Sequence, residues 1–314
     1  MEESKRQPLV SVAVVAYNSS RTIIETLDSI YNQTYRDINL IISDDCSTDK
    51  TVEVCKRWLK THDKRFVSTQ FIIPDKNTGL SGNCQRVWDA CNTEWLKLIA
   101  ADDLLLPNCI SDNIEFVSKY ADAQCVFSKI RIIGLSQEEA ERFLQMRYDY
   151  SFFEKTQDEQ YEQLLKWCSI PAPASFLNVL ELRKKGLCYD TRIPMIDDRP
   201  FFLRLVAAGV RFDFFDKITV GYRVHPNSLC NAPIHSPAFH ESVLLTNFYY
   251  PFAYYYAIDS EKAIKEVVAR EMTLYNEYYH LKQLTQSRVF KIVNYICNPR
   301  LICRKVSNAF RMKR

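Results

Sequence analysis

A chain of 314 residues with 47% apolar and 25% charged side chains can fill one large core or two smaller ones. Six glycines and 12 prolines, without a low-complexity tract or repeat period, exclude collagen-like, disordered and solenoid classes. A net charge of +3 is too small to indicate nucleic acid as a partner, and eleven scattered cysteines without a CxxC pair read as reduced packing residues. Nothing ahead of the first apolar run resembles a signal peptide, and no run reaches the length of a membrane span, so the expectation is a cytoplasmic protein.

In chain order, "LVSVAVVAY" (9–17) is a β-branched run of strand length. It is followed by "NSSRTIIETLDSIYNQ", where Ile23, Ile24, Leu27, Ile30 and Tyr31 recur at helical spacing. The same alternation returns three times. "INLIISDD" precedes "STDKTVEVCKRWLK", "RFVSTQFII" precedes "GLSGNCQRVWDACN", and "EWLKLIA" precedes "LPNCISDNIEFVSKY", with "AQCVFS" after it. Strands alternating with helices over roughly the first 130 residues predict an α/β unit, a mostly parallel sheet with helices on both faces. Ligands of such sheets bind beyond the carboxyl ends of the strands, where the strand order reverses. Asp44, Asp45, Asp102 and Asp103 all fall at such ends. A single aspartate pair there is as often a helix cap or turn former, and Asp49 in "STDKT" reads that way. Two pairs closing two apolar strands favour a ligand site. Adjacent carboxylates repel unless a cation or donor compensates them, and Mg²⁺ or Mn²⁺ with a diphosphate suits that need.

In order and spacing, "VSVAVVAYN", "NLIISDDCSTDKT", "NTGLSGN" and "LIAADDLLLP" resemble the nucleotide-sugar half of family-2 glycosyltransferases of the GT-A fold. The resemblance covers residues 8 to 128. It implies a nucleotide-diphosphate sugar donor, most commonly a UDP-sugar. It assigns Ala16, Tyr17 and Asn18 to the border of the base, Asp45 to the uracil imide N–H, and Asn77 and Gly79 to the donor loop. Asp102 faces the ribose or metal, and Asp103 ligates Mn²⁺ or Mg²⁺ on the diphosphate. The family's fuller acidic motif begins with a carboxylate where this chain has Ala101, leaving one or two protein ligands.

From 135 to 170 the sequence turns polar and aromatic without strand alternation, which predicts an inserted helical or loop segment over the crevice. Further on, "DDRPFFLRLVAAG" puts Asp197 and Asp198 ahead of a helix whose Phe201, Phe202, Leu205 and Val206 can face a core. It resembles the family's "EDxxxxLRLxxxG" segment, which carries the catalytic base. The resemblance makes Asp198 the base and Asp197 its neighbour. Taken alone, both could simply cap the helix, with Pro200 suited to its first turn. "GYRVHPNSLC" is similar to a family segment that closes over the diphosphate. It implies His225 as a metal ligand or phosphate partner and Arg223 as a donor-binding cation.

The expected organisation is a GT-A domain over 1–230, divided into a nucleotide-sugar half (8–130) and an acceptor half (131–230), followed by a helical region over 231–314. The activity implied is inverting transfer to a hydroxyl of a glycan, free or linked to a polyprenyl diphosphate, in polysaccharide assembly. Two alternatives are weaker. A sugar-phosphate nucleotidyltransferase would need a glycine-rich loop after the first strand, and "AYNSSRT" has no glycine; a non-catalytic binding protein has no use for the pair at 197 and 198. Nine basic and no acidic residues between 281 and 314 leave −6 on the rest of the chain. Interleaved with Phe290, Ile292, Val293, Ile296, Leu301, Ile302 and Phe310, they read as a basic amphipathic segment suited to an anionic membrane surface. Deleting residues 288–314 is therefore expected to lower sedimentation with anionic liposomes, as raised salt should do for the intact chain. UDP binding should stay unchanged; a truncated chain that sediments as before excludes the membrane role.

Overall fold

The computed structural model describes residues 7–225, 228–229, 236–258 and 261. The chain divides into two compact units, residues 1–233 and 234–314. The basic segment 288–314 lies outside the described residues.

In the first unit, strands β1 (Val10–Ala16), β2 (Ile38–Asp44), β3 (Ser68–Ile72) and β4 (Trp95–Ala100) are parallel, with β1 paired to both β2 and β4. Every residue of β1 and β2 is buried, as a strand covered on both faces requires. The intervening helices are α1 (Ile23–Tyr31), α2 (Thr51–His62) and α3 (Gly79–Ala90). On α1 the buried positions are Ile23, Thr26, Leu27 and Ile30, a narrower stripe than the predicted one. Ile24 and Tyr31 fall outside it, 46% and 36% exposed.

The chain continues through β5 (Leu104–Leu105), α4 (Cys109–Lys119) and β6 (Cys125–Ile133) into α5 (Gln137–Arg147), a 3₁₀ turn at Tyr150–Glu154, and α6 (Gln157–Lys166). The polar segment is thus two helices, each opened by a reciprocal capping box: Ser136 with Glu139, and Thr156 with Glu159. Then come β7 (Phe176–Asn178), α7 (Val179–Lys184), α8 (Asp198–Ala207) and β8 (Phe212–Arg223). The sheet order is β3-β2-β1-β4-β7-β6-β8-β5. Six strands run one way, and only β7 and β5 are antiparallel to their neighbours. The mostly parallel sheet is as expected. Phe201, Phe202, Leu205 and Val206 of α8 are all buried. In the second unit, α9 (Pro237–Asn247) opens on Ser236, whose hydroxyl accepts the amide of Phe239, and α10 (Ala253–Ile258) follows a π turn. No helix among the described residues is long and apolar enough to cross a membrane.

β1 is the point of reversal: the chain builds outward from it through β2 and β3, then returns to add β4 on its other side. The carboxyl ends of β1 and β4 therefore flank a crevice. Lys97, fully buried inside β4, donates from Nζ to the carbonyls of Pro173 (2.8 Å) and Ser175 (3.1 Å). It ties β4 to the segment preceding β7. Burial lowers its pKa. Gly79 starts α3 at φ +81°, and a Cβ there would lie 2.6 Å from the Pro194 carbonyl oxygen. Gly79→Ala should therefore cost about 1–3 kcal/mol, read as a lower midpoint in urea. An unchanged midpoint would mean that the 77–79 loop relaxes freely.

Candidate active site

At the end of β1, Ala16 is buried, Tyr17 is 49% exposed, and Asn18 adopts φ +51°, a conformation asparagine tolerates better than most residues. The Asn18 carboxamide oxygen accepts the amides of Thr48 (2.8 Å) and Asp49 (3.3 Å), joining the β1 and β2 end loops. Asp44 closes the same turn by accepting Ser47 N at 2.8 Å. Asp49 accepts Ser20 N at 3.1 Å and Thr51 N at 2.9 Å, the turn-forming role expected of it.

Asp45 is buried, and its carboxylate accepts Thr78 N (3.0 Å), Thr78 Oγ1 (2.7 Å), Gly79 N (2.8 Å) and Arg86 Nη2 (3.1 Å). Asn77 completes the loop: its Nδ2 donates to the Asp45 carbonyl at 3.0 Å and its Oδ1 accepts Gly79 N at 3.1 Å. Asn83 Nδ2 bonds the carbonyls of Ala16 and Ser43. Arg86 lies mid-helix beyond the "NTGLSGN" motif that ends on Asn83, so no motif marks it in the sequence. Its spacing of three from Asn83, which puts the two on one helical face, was the available signal.

Behind β4 the two aspartates diverge. Asp102 turns outward, and its Oδ2 lies 3.1 Å from His225 Nε2. Asp103 is 2% exposed; its Oδ1 accepts Arg223 N at 2.8 Å and its carbonyl accepts Thr26 Oγ1 at 2.8 Å. Burial, then the Asp102 charge, push the Asp103 carboxyl well above the usual carboxylate range, and the Arg223 amide opposes them. Arg223 is a clamp in this arrangement. Its Nε donates to the Asp102 carbonyl at 2.7 Å and its Nη2 pairs with Glu25 at 2.6 Å.

A cavity of about 190 Å³ joins these groups to the second acidic pair. Asp102 and Asp103 line it together with Asp197 and Asp198, roughly a hundred residues further along the chain. Tyr148, Cys168, Tyr189, Tyr222 and Arg223 complete much of its wall, so residues of the inserted segment do face the crevice. The acidic pair does not simply cap α8. Asp197 occupies the N-cap without a side-chain cap bond and instead accepts the Cys84 thiol at 3.5 Å. Asp198 accepts Arg199 N at 2.6 Å. Burial, then the neighbouring Asp198, raise the Asp197 carboxyl to about 7.

Of the residues expected at the donor and metal, Asp102, Asp103 and Arg223 border one cavity with the acidic pair, whereas Ala16, Tyr17, Asn18, Asp45, Asn77, Gly79 and His225 are not among the residues lining it. Residues 11–175 match the model of Glycosyl transferase family 2, more than half of the chain. The protein belongs to glycosyltransferase family 2. Over 221 residues it is 25% identical to the Escherichia coli UDP-Glc:alpha-D-GlcNAc-diphosphoundecaprenol beta-1,3-glucosyltransferase WfaP, covering 70% of this chain and 79% of that one. In structure it resembles Staphylococcus aureus TarS 1–349 in complex with UDP-GlcNAc, with a TM-score of 0.61, 15% identity, and 89% and 76% of the two chains covered. It also resembles the mannosyltransferase PcManGT from Pyrobaculum calidifontis in complex with GDP-Man and Mn²⁺, with a TM-score of 0.54, 17% identity, and 98% and 88% covered. These likenesses establish the GT-A fold of this glycosyltransferase.

The donor set suits a hard divalent cation. Asp102 and His225 offer a carboxylate oxygen and an imidazole nitrogen on one spot, with Asp103 in the same wall. No group of three His, Cys, Asp or Glu side chains converges among the described residues. A cation held there would draw its remaining ligands from substrate oxygens, as Mg²⁺ and Mn²⁺ commonly do.

Asp197 makes stability depend on pH. Its carboxyl titrates at 3.8 in the unfolded chain and at about 7 in the folded one, so between those values the native state keeps a proton that the unfolded state has lost. Its contribution is complete below about pH 4 and disappears as pH rises through about 7. Asp197→Asn, neutral throughout, should therefore gain stability relative to the parent between pH 5 and pH 8, measured as the difference in Tm. A difference that does not change with pH would place the titrating group elsewhere.

Proposed function

We propose that this glycosyltransferase moves a sugar, with inversion, from a UDP-sugar to a hydroxyl of a glycan or lipid-linked glycan in polysaccharide assembly. The observation that carries the reading is the meeting of two acidic pairs in one cavity, one at the end of β4 and one at the start of α8. The names of WfaP and of the TarS complex support the nucleotide and the class of acceptor.

On this reading the uracil ring borders Ala16, Tyr17 and Asn18, and the exposed Tyr17 ring is free to stack on it. The imide N–H is taken by the Asp45 carboxylate, displacing the contact from Arg86, whose side chain is long enough to move aside. Asn77 and Gly79 hold that carboxylate in place through their loop. Asp102, Asp103 and His225 would hold Mn²⁺ or Mg²⁺ at the diphosphate, where the ion supplies charge neutralisation of the leaving group. Arg223 keeps the Asp102–Asp103 turn and β8 together and adds positive charge beside it.

Asp198 is the base. Asp197 is committed to the Cys84 thiol and holds its own proton up to about pH 7, which leaves Asp198, beside it in the cavity wall, to take the acceptor proton. Asp198 sits at the first turn of α8, where the helix dipole favours the anion. The acceptor oxygen forms a bond to the anomeric carbon, and its proton passes to Asp198. The bond from that carbon to the diphosphate breaks, and its electron pair leaves with the nucleotide.

A panel of nucleotide sugars, scored for nucleotide release with and without Mn²⁺, tests the donor. In the same assay Asp198→Asn should lower turnover about 100-fold or more while calorimetric UDP affinity stays the same. Lost UDP affinity with turnover preserved would move Asp198 to the donor site and leave the base to be found elsewhere.

A further inference from the structure

α3 is joined to both halves of the crevice. The amides of a helix's first turn lack partners within the helix, and here they are shared between two parts of the site. Thr78 N and Gly79 N go to the Asp45 carboxylate, whereas Ser81 N donates to the Pro194 carbonyl at 3.0 Å. The Ser81 hydroxyl, fully buried, lies 2.5 Å from the Ile193 carbonyl oxygen and 3.0 Å from that of Ile196. Three carbonyls of the loop leading into Asp197 thus converge on one serine. One turn on, Cys84 is buried with its thiol on Asp197 Oδ2, and Gln85 Oε1 accepts Tyr189 N at 2.9 Å. Gly79 brings the two backbones so close that a Cβ would strike Pro194.

We infer that Ser81 and Cys84 are positioning residues for the Asp197–Asp198 pair, Ser81 by fixing the backbone of the 193–196 loop and Cys84 by holding the Asp197 carboxyl. Neither touches substrate. The inference rests on the reading of Asp198 as the base. The contacts are asymmetric: Asp45 is held by Thr78, Gly79 and Arg86, not by Ser81 or Cys84. Loss of the hydroxyl or the thiol therefore loosens the acidic pair and leaves the donor contacts in place. A carboxylate displaced by about an ångström can lose as much as 100-fold in rate without any change in ground-state binding.

Ser81→Ala should lower kcat about 10- to 100-fold, with the donor KM and the calorimetric Kd for UDP with Mn²⁺ each within about twofold of the parent. Cys84→Ser, which keeps a donor toward Asp197, should retain more turnover than Cys84→Ala. A folded Ser81→Ala enzyme with parental kcat overturns the inference, as does a fall in UDP affinity matching the fall in kcat. If Ser81→Ala does not fold, equal turnover of the two Cys84 variants overturns it instead. Asp198→Asn separates the two readings. Full turnover in that variant removes the base assignment, whereas an inactive Asp198→Asn beside an unimpaired Ser81→Ala removes only the positioning role.

Discussion

The first turn of α3 is the constraint on which the rest of the crevice depends. Buried backbone amides must find acceptors, and this turn finds two from opposite sides: the Asp45 carboxylate behind β2 and the Pro194 carbonyl ahead of α8. The 77–79 loop, the Asp45 side chain and the approach to Asp197 are fixed by one set of bonds. The left-handed Gly79 is what lets the two backbones come this close.

The second organising feature is the concentration of like charge. Four carboxylates line one cavity, and each is managed differently. Asp102 faces an imidazole, Asp103 takes a backbone amide, Asp198 accepts the amide of Arg199, and Asp197 keeps its proton. The arrangement brings the two pairs to one cavity, one from the end of β4 and one from the start of α8. It also sets the two carboxyls at α8 apart, since Asp197 takes the Cys84 thiol while Asp198 takes a backbone amide.

Much of this was legible in the sequence. The β-branched runs at 10–16 and 38–44 and the periodic segments behind them became β1, β2 and their helices, because hydrophobic period and local propensity agree there. The aspartates closing β2 and β4 stood at strand ends in the sequence and stand there in the fold. Less legible were Arg86, whose partner Asp45 lies 41 residues away, and Lys97, a charge hidden in an apolar strand whose two acceptors lie 76 and 78 residues later.

By itself, then, the sequence determined the alternation of strands and helices, the acidic strand ends and the motifs of the family, all of which follow from residues near one another in the chain. Only the tertiary structure decided which carboxylates share a cavity, that Asp102 rather than Asp103 faces His225, and that Asp197 turns from its own helix to the thiol of Cys84. The physical reason is that a side chain's pKa, exposure and partner are set by what packs against it. Here those neighbours lie about 100 residues away, brought into place by helix-end amides that had to be satisfied.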